Sequence, residues 1–442
     1  MTTVSKLEPA VQEMPFSPLP LTKVEDTGLP VLWLQDLALK ILYFRGYLSG
    51  FEMADEIALP FIGIVDQILE TLKRERLVEV KSSKAGVGEG AFQYGITEGG
   101  IQRAREALER SQYAGPAPVP VDAYNESIRR QSRDRMTVTG QAIRQALAHL
   151  VLSEETTQQL GPAFNSGTSI FLYGPPGDGK TSVAKALGSL ISDQAIYIPY
   201  TLYLAGQVVK LYDSVNHQLA SAPQATPNVT ANLQTGKRRD PRWIKIRRPF
   251  ITVGGELTLE SLDLTFDDTH RFYEAPFQVK ANGGILLIDD FGRQLVRPRD
   301  LLNRWIVPLE SRLDYLTLHT GRKAEISFDV LVVFSTNLPP RELVDEAFLR
   351  RLRHKVEIGD PTYEEYREIF RRAAKQKGIA YNEQGLAYLL EEYYGKRNRK
   401  LRASHPRDLC DQILDIARFL SVEPTMSNAM IDRAAQAYFV EL

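Results

Sequence analysis

Apolar positions divide the chain into three stretches with different periods. In residues 31–112 they recur at helical spacing, alternate with polar residues over 77–80 and 92–96, and return to helical spacing after Thr97. From residue 169 to about residue 358, short apolar runs alternate with helical segments, which is typical of a parallel α/β sheet. Residues 362–442 show helical spacing and contain no candidate strand. The pattern predicts a small mixed unit, an α/β core and a helical C-terminal part.

Prolines and polar runs mark the predicted boundaries. Residues 1–28 have prolines spaced along them and predict a disordered or loosely docked tail. Residues 113–134 begin with a proline-rich run that favours extended backbone, so we expect a linker there. The predicted domains are then 29–112, 135–358 and 359–442. The first, with its three helices, hairpin and closing helix, resembles a winged-helix domain.

Composition and charge limit the class of protein. The chain has 442 residues, 43% of them hydrophobic and 25% charged, with a formal net charge of -1. Such a balance supplies no general attraction to nucleic acid or anionic membranes. One cysteine, Cys410, excludes an internal disulfide and fits a reducing compartment. We see no secretory signal and no apolar run long enough to span a membrane, so we expect a cytoplasmic protein.

The strongest motif follows the apolar run at residues 169–173. Its pattern is G-x-x-x-x-G-K-[ST], preceded by a strand and followed by a helix, which is the context of a nucleotide-binding P-loop. The residues that we expect to contact nucleotide here are Gly174, Pro175, Pro176, Gly177, Asp178, Gly179, Lys180, Thr181 and Ser182. Backbone N–H groups and the helix N-terminus would hold phosphates, Lys180 would reach the β- and γ-phosphates, and Thr181 would bind Mg²⁺. We expect the Asp178 carboxylate to face solvent.

Two further apolar runs end in polar residues. Residues 285–288 form a continuous buried-strand pattern that ends in Asp289 and Asp290. Residues 329–337 form another and end in Asn337. A charged pair after a strand is equally common as a solvated turn, but the P-loop upstream favours a Walker B strand. Asp289 would then hold Mg²⁺, and Asp290 would polarise the attacking water.

Together these motifs resemble the AAA+ family over roughly residues 135–442. The resemblance implies an ATP-hydrolysing P-loop enzyme, with Asn337 as the sensor 1 residue that orients water. It implies an arginine finger at Arg351 or Arg350, offered to a neighbouring subunit, and a sensor 2 arginine at Arg407. Taken alone, the first pair is better explained as a solvated basic helix end. Residues 280–285 also resemble the MoxR-like, chelatase and enhancer-binding activator branches.

The same resemblance implies ATP and Mg²⁺ as cofactors and a homo-oligomeric ring, most simply a hexamer. Most relatives carry glutamate where this chain has Asp290, which is one methylene shorter. We therefore expect nucleotide binding to be ordinary, while the hydrolysis rate stays open.

Two regions bear on partners. Lys180 and Asp289 are separated by 109 positions (289 − 180), which leaves room for an insertion at residues 221–280. Within it, residues 237–248 carry seven basic residues and one acid, which could contact nucleic acid or an acidic protein, or form a solvated hairpin. Residues 31–110 contain ten basic and twelve acidic side chains, a net of −2, which favours protein docking over base reading by the winged helix.

Three functions remain open from the sequence. The first is an ATP-driven remodelling motor or chaperone that acts on a protein client recruited by the winged helix. The second is a DNA-binding regulator or loader. The third is a slow, nucleotide-gated scaffold, which the shorter acid at position 290 favours.

Overall fold

The N-terminal unit has the helix and hairpin order that its apolar pattern predicts. In a computed structural model of the chain, the structure describes residues 16–83, 89–132, 137–220, 239–343, 350 and 352–439. The unit contains α1 (Val31–Arg45), β1 (Tyr47–Ser49), α2 (Gly50–Ile57), α3 (Asp66–Arg74), β2 (Val78–Ser83), β3 (Phe92–Ile96) and α4 (Glu98–Arg110). Its strands form an antiparallel sheet in the order β1, β3, β2. Assignment to the winged-helix class stays a prediction.

Local side-chain bonds fix where these helices begin. At α2 the Ser49 hydroxyl accepts a hydrogen bond from the Glu52 backbone N–H, and the Glu52 carboxylate accepts one from the Ser49 N–H. At α4 the Thr97 hydroxyl accepts the Gly100 N–H at 3.1 Å. The helices then bury one shared apolar cluster that includes Leu34, Leu37, Leu42, Ile57, Leu69 and Leu72.

Residues 16–28 of the predicted tail are docked on distant parts of the chain. The Phe16 ring lies 5.6 Å from the Trp243 ring, centroid to centroid. The Arg130 guanidinium lies 5.3 Å from the centroid of the Phe16 ring. The Thr27 carbonyl accepts a hydrogen bond from Arg242 Nη1 at 2.8 Å. These partners are far away in sequence, so local composition gives no sign of them. Residues 1–15 of the predicted tail lie outside the described residues.

The predicted linker at 113–134 also carries regular structure. It contains β4 (Val119–Pro120), which pairs in parallel with a later strand, and α5 (Val121–Arg130). Tyr124 and Ile128 on α5 are fully buried. The prolines that indicated a linker are compatible with a two-residue edge strand and with a helix start, where no N–H is needed. The segment therefore packs into the α/β part of the molecule, and residues 133–136 are not among those described.

The α/β core begins with two helices and the P-loop strand. These elements are α6 (Gly140–Leu147), α7 (Glu154–Asn165), β5 (Ser169–Tyr173) and α8 (Lys180–Ser189). Before the next core strand the chain forms β6 (Ala195–Pro199), β7 (Thr201–Leu204), β8 (Gln207–Lys210) and β9 (Trp243–Arg247). Residues 221–238 of the predicted insertion lie outside the described part of the chain.

The remaining strands complete a parallel sheet and an additional one. They are β10 (Phe250–Val253), β11 (Thr265–Asp267), β12 (Phe272–Glu274), β13 (Ile285–Ile288), β14 (Leu313–Thr317), β15 (Lys323–Ser327), β16 (Leu331–Thr336) and β17 (His354–Glu357). Interspersed helices are α9 (Phe277–Lys280), α10 (Pro298–Ser311) and α11 (Pro340–Leu343). The core sheet is parallel, in the order β10, β13, β16, β5, β17. This confirms the predicted α/β class.

A second five-stranded sheet lies beside the core, in the order β11, β12, β8, β7, β4. The additional β-structure extends beyond the insertion predicted at 221–280. Strands β6, β7 and β8 precede that range, and β4 comes from the predicted linker. Its apolar face packs on α5 around Tyr124, Ile198, Leu202 and Tyr273.

The C-terminal helical domain contains α12 (Tyr363–Lys377), α13 (Glu383–Leu389), α14 (His405–Leu420) and α15 (Asn428–Tyr438). Its own apolar cluster includes Cys410, which is buried as a structural thiol. Among the described residues, no helix is both long and apolar enough to cross a membrane.

Candidate functional site

The P-loop is held between a buried strand and an open helix N-terminus. Four of the five β5 residues are buried, and the strand pairs with β16 on one side and β17 on the other. Gly174, Gly177 and Gly179 have φ values of 146°, 88° and 88°, which side chains beyond glycine rarely adopt. Gly179 precedes α8 and gives it no side-chain cap, so the first N–H groups of the helix remain available for an anion.

Lys180 lies inside this loop. Its side chain is 6% exposed, and Nζ donates to the carbonyls of Gly174 at 2.9 Å and Pro175 at 2.7 Å. Burial lowers the pKa of Lys180, while Asp178, Asp290 and Asp289 oppose that shift. The ammonium is therefore oriented by the loop backbone, with three carboxylates nearby.

Thr181 and Asp289 meet although they are 108 positions apart. The Thr181 hydroxyl lies 3.0 Å and 2.9 Å from the two carboxylate oxygens of Asp289 and donates to them. Asp289 directly follows β13, and Gln294 Nε2 donates to its carbonyl at 2.8 Å. A hydroxyl and a carboxylate are hard oxygen ligands of the kind that Mg²⁺ prefers. The two residues therefore fit the predicted Mg²⁺ site.

Asp290 and Asn337 also lie together. Asp290 has φ 50°, which turns its exposed side chain toward the end of β16, and Asn337 Nδ2 donates to Asp290 Oδ1 at 3.1 Å. The left-handed backbone of a non-glycine residue costs on the order of 1 kcal/mol and persists where neighbours hold it. Here the Phe291 N–H donates to the Ser335 carbonyl at 2.7 Å, which fixes the turn against β16.

Asp178 does not face solvent, so that expectation is wrong. Its side chain is fully buried and accepts hydrogen bonds from Arg402 Nη1 at 3.1 Å and from the Ala403 N–H at 3.0 Å. Burial raises the pKa of Asp178, and the Ala403 N–H and the Arg402 guanidinium oppose that rise. The partners lie more than 200 positions away, which explains why the loop sequence alone did not reveal them.

Arg407 lies on the first turn of α14 and lines the same cleft. Its side chain is 68% exposed, and Nε and Nη2 each lie 3.1 Å from Asp408 Oδ1. The structure thus places this arginine at the wall of the site, paired with its neighbour. Its assignment to sensor 2 stays a prediction.

Of the two arginine-finger candidates, the structure describes only Arg350. Arg350 is exposed and is not among the residues that line the cleft, while Arg351 lies outside the described residues. Their role in a neighbouring subunit stays a prediction.

These groups surround a cleft of about 430 Å³. Of the predicted contact residues, those lining it are Pro176, Gly177, Asp178, Gly179, Lys180, Thr181, Ser182, Asp289, Asp290, Asn337 and Arg407. Gly174 and Pro175 contribute through the carbonyls that hold Lys180.

The opposite wall of the cleft was missed by sequence reasoning. It consists of loop residues 149–152 and of α12 residues that include Ile369, Arg372 and Ala373. Arg372 Nη1 donates to the carbonyls of Ala148 at 2.8 Å and Leu150 at 3.3 Å, which ties that loop to α12. In the sequence, the only sign of this wall was the run of three apolar residues at 150–152, just before α7.

Two of the five described basic residues in the run at 237–248 are buried in internal contacts. Arg242 is 3% exposed, forms an ion pair with Asp240 at 2.8 Å and donates to the carbonyls of Thr27 and Pro118. Arg248 is 9% exposed and donates to the carbonyls of Gly283 and Gln131. These two arginines stabilise the fold and are not available to a polyanion, and Lys237 and Arg238 lie outside the described residues.

Comparisons with known proteins give a partial family match and distant structural likenesses. Residues 362–437, which hold α12 to α14 and most of α15, match a family described as a domain of unknown function, DUF8689. The comparison with curated proteins found no match.

Among solved structures, NtrX from Brucella abortus in complex with ADP is 16% identical, with a TM-score of 0.39 over 75% of this chain. This chain covers 65% of that NtrX chain. The Thermotoga maritima RuvB Holliday junction branch migration motor is 14% identical, with a TM-score of 0.35 over 70% of this chain and 72% of RuvB.

Proposed function

We propose that this chain is an ATP-hydrolysing P-loop enzyme of the AAA+ type. The observation that carries the proposal is the contact between the Thr181 hydroxyl and the Asp289 carboxylate at 2.9 Å, beside a glycine-rich loop and an open helix N-terminus. Phosphate binding needs the loop and the helix end, and the cation that accompanies a nucleoside triphosphate needs the hydroxyl and the carboxylate.

The residues divide the chemistry between them. Bound Mg²⁺ would be held by Thr181 and Asp289 and would supply positive charge to the phosphate oxygens. The P-loop N–H groups and Lys180 bind and orient the triphosphate. Asn337 and Asp290 orient a water molecule, and Asp290 accepts its proton while the oxygen attacks the γ-phosphorus and the bond to the β-phosphate oxygen breaks. The products are ADP and inorganic phosphate.

The direct test is ATP turnover and ADP binding by the purified full chain. We expect Lys180→Ala to lose nucleotide binding and Asp289→Asn to retain binding while losing Mg²⁺-dependent turnover. Lys185→Ala, an exposed lysine one turn further along α8, is the matched control and should behave like the natural chain. Turnover that survives Lys180→Ala at the parental rate would exclude this site as the ATPase.

We propose further that the active unit is a ring, most simply a hexamer, in which Arg351 or Arg350 completes the neighbouring site. The support is that Arg350 is exposed and does not line the cleft of its own chain. Mixing Asp290→Asn chains with Arg350→Ala/Arg351→Ala chains tests this. If each chain completes its own site, every chain in the mixture is inactive. If sites are shared, part of the turnover returns, because some interfaces combine an intact Asp290 from one variant with intact arginines from the other.

For the N-terminal unit we propose a winged-helix domain that docks a protein client for remodelling. Its α3 begins with Asp66, whose carboxylate accepts the N–H groups of Gly63 at 2.9 Å and Gln67 at 2.7 Å, so an acid occupies the end that a recognition helix directs at bases. Titration with duplex DNA at increasing salt tests the alternative. Specific affinity whose logarithm falls steeply with the logarithm of salt concentration would replace the protein-docking proposal by a DNA-directed one.

A further inference from the structure

Arg402 joins three segments that meet behind the P-loop. Its Nη1 atom contacts the carboxylates of Asp178, at 3.1 Å, and Asp360. Asp178 belongs to the P-loop, Asp360 lies between β17 and α12, and Arg402 lies just before α14. The side chain of Asp178 is fully buried and that of Arg402 is 22% exposed, so the contact is shielded from water.

Backbone contacts reinforce this junction. The Ala403 N–H donates to Asp178 Oδ1 at 3.0 Å, and a Cβ atom added to Gly177 would lie 2.6 Å from the Ser404 hydroxyl. The P-loop backbone and the segment that leads into α14 are therefore in direct contact. Any shift of the P-loop moves the surface on which the helical domain rests.

Arg402 carries the positive charge that both carboxylates at this junction share. Two carboxylates approach one guanidinium, and such charge-assisted bonds are stronger than neutral ones. Without the guanidinium, Asp178 and Asp360 would repel each other beside the loop that holds phosphates. A buried charge left without its partner costs more than the pair contributes.

We propose that Asp178 and Arg402 form a latch that positions the helical domain on the P-loop and thereby sets nucleotide affinity. Both are positioning residues, because Asp178 acts through its bonds to Arg402 and Ala403. The latch rests on the proposed nucleotide binding, and it assigns a role to a P-loop acid that the phosphate chemistry itself does not need.

The first test is ADP affinity measured by calorimetry on the full chain. We expect Arg402→Met to weaken ADP binding by about tenfold or more, since a shielded charge-assisted contact is lost. Adding Asp178→Asn to Arg402→Met should restore affinity to within about threefold, since the amide still accepts the Ala403 N–H and removes the unpaired charge. Lys400→Met is the matched control, because Lys400 approaches the same Asp360 at 3.7 Å but is 75% exposed, and it should leave affinity unchanged.

The second test measures domain position without nucleotide. Spin labels on Lys185→Cys in α8 and Arg418→Cys in α14 report the distance between core and helical domain, and both positions are exposed. Cys410 is fully buried, and burial raises the pKa of its thiol to about 12, so it should stay unlabelled. We expect a narrow distance distribution in the parent, a broader one in Arg402→Met, and recovery in the double variant.

The outcomes separate the latch from the enzyme. A parent chain that binds no nucleotide would overturn the proposed function. The label distances would still show whether Asp178 and Arg402 position the helical domain. Unchanged distances and unchanged ADP affinity in Arg402→Met would overturn the latch in a chain that binds and hydrolyses ATP. Loss of affinity without recovery in the double variant would also overturn it, since the charge balance would then not be the cause.

Discussion

The two sides of the nucleotide cleft are held in place by different forces. The phosphate side, defined as residues 174–182 with Asp289, Asp290 and Asn337, follows strands whose residues are almost entirely buried. The opposite side, defined as residues 149–152, 369–377 and 403–407, is joined to the core through long cationic side chains bonded to carbonyls and carboxylates.

Such a difference has a mechanical meaning. Close-packed apolar strands resist displacement because every neighbour would lose contacts, whereas a few charged bonds can be exchanged one at a time. We therefore expect the phosphate side to stay fixed and the opposite side to move, and four measurements test that difference.

The largest effect should come from the reacting end of the phosphate side. Asp290→Asn keeps the side-chain shape but cannot accept the proton from water, so we expect ATP turnover to fall by about 10²–10⁴-fold with ADP affinity unchanged. Steady-state turnover and calorimetry measure the two quantities. Asp290→Glu is the companion variant, and we expect it to turn over at least as fast as the parent. Turnover in Asp290→Asn equal to that of the parent would remove Asp290 from the role of base.

The second test concerns the strands beneath that side. Phe334 on β16 is fully buried, with its ring 5.1 Å from that of Phe291 and 6.0 Å from that of Phe171. We expect Phe334→Ala to lower the free energy of unfolding by about 3–5 kcal/mol, because it leaves a cavity in a packed core. Denaturant unfolding followed by circular dichroism measures this. Phe419→Ala on α14, whose side chain is largely exposed, should change stability little.

The third test addresses the opposite side. Arg372→Met removes two hydrogen bonds to the 148–150 carbonyls, and we expect ADP affinity to fall by roughly threefold to tenfold with little change in overall stability. Arg371→Met is matched, since Arg371 shares Glu368 with Arg372 but is 63% exposed. A larger loss of affinity in Arg371→Met than in Arg372→Met would contradict the assigned role.

The smallest effect concerns pH. Burial, with Arg402 nearby, lowers the pKa of His405 to about 4 from an ordinary 6.5. The unfolded chain therefore binds more protons in this range, so the contribution of neutral His405 is present above pH 6.5 and is lost as pH falls toward 4. Unfolding of the helical domain should become easier over that window, and His405→Gln should flatten the slope. An identical slope in His405→Gln would assign the acid sensitivity to other groups.

The same contrast explains how much the sequence could reveal. The P-loop was predictable because its glycines, lysine and threonine are contiguous and have a strand and a helix on either side. The positions of Asp289, Asp290 and Asn337 were predictable because each follows an apolar run typical of a buried strand, with a P-loop upstream. Parallel strands bring their carboxyl ends to one edge of the sheet, so the pattern also placed them together.

Contacts between segments that are distant in the chain could not be predicted in this way. In the sequence, Asp178 has the character of a solvated loop acid. Its partners Arg402 and Ala403 lie more than 200 positions away in the chain. Residues 119–130 likewise appeared as a linker, because their prolines describe only local backbone preference. Tertiary contacts determine the structure of such segments, and a single sequence does not show which distant residues are in contact.

The buried Arg242 has a consequence for how the N-terminal unit can work. One guanidinium joins the carbonyls of Thr27 and Pro118 to Asp240, and β4 adds a strand pairing next to it. A unit joined to the core only by a flexible linker would adopt many orientations relative to that core. Because it is anchored on both flanks, this unit is held in one orientation relative to the α/β core, and any displacement of that core would reach it in a fixed direction.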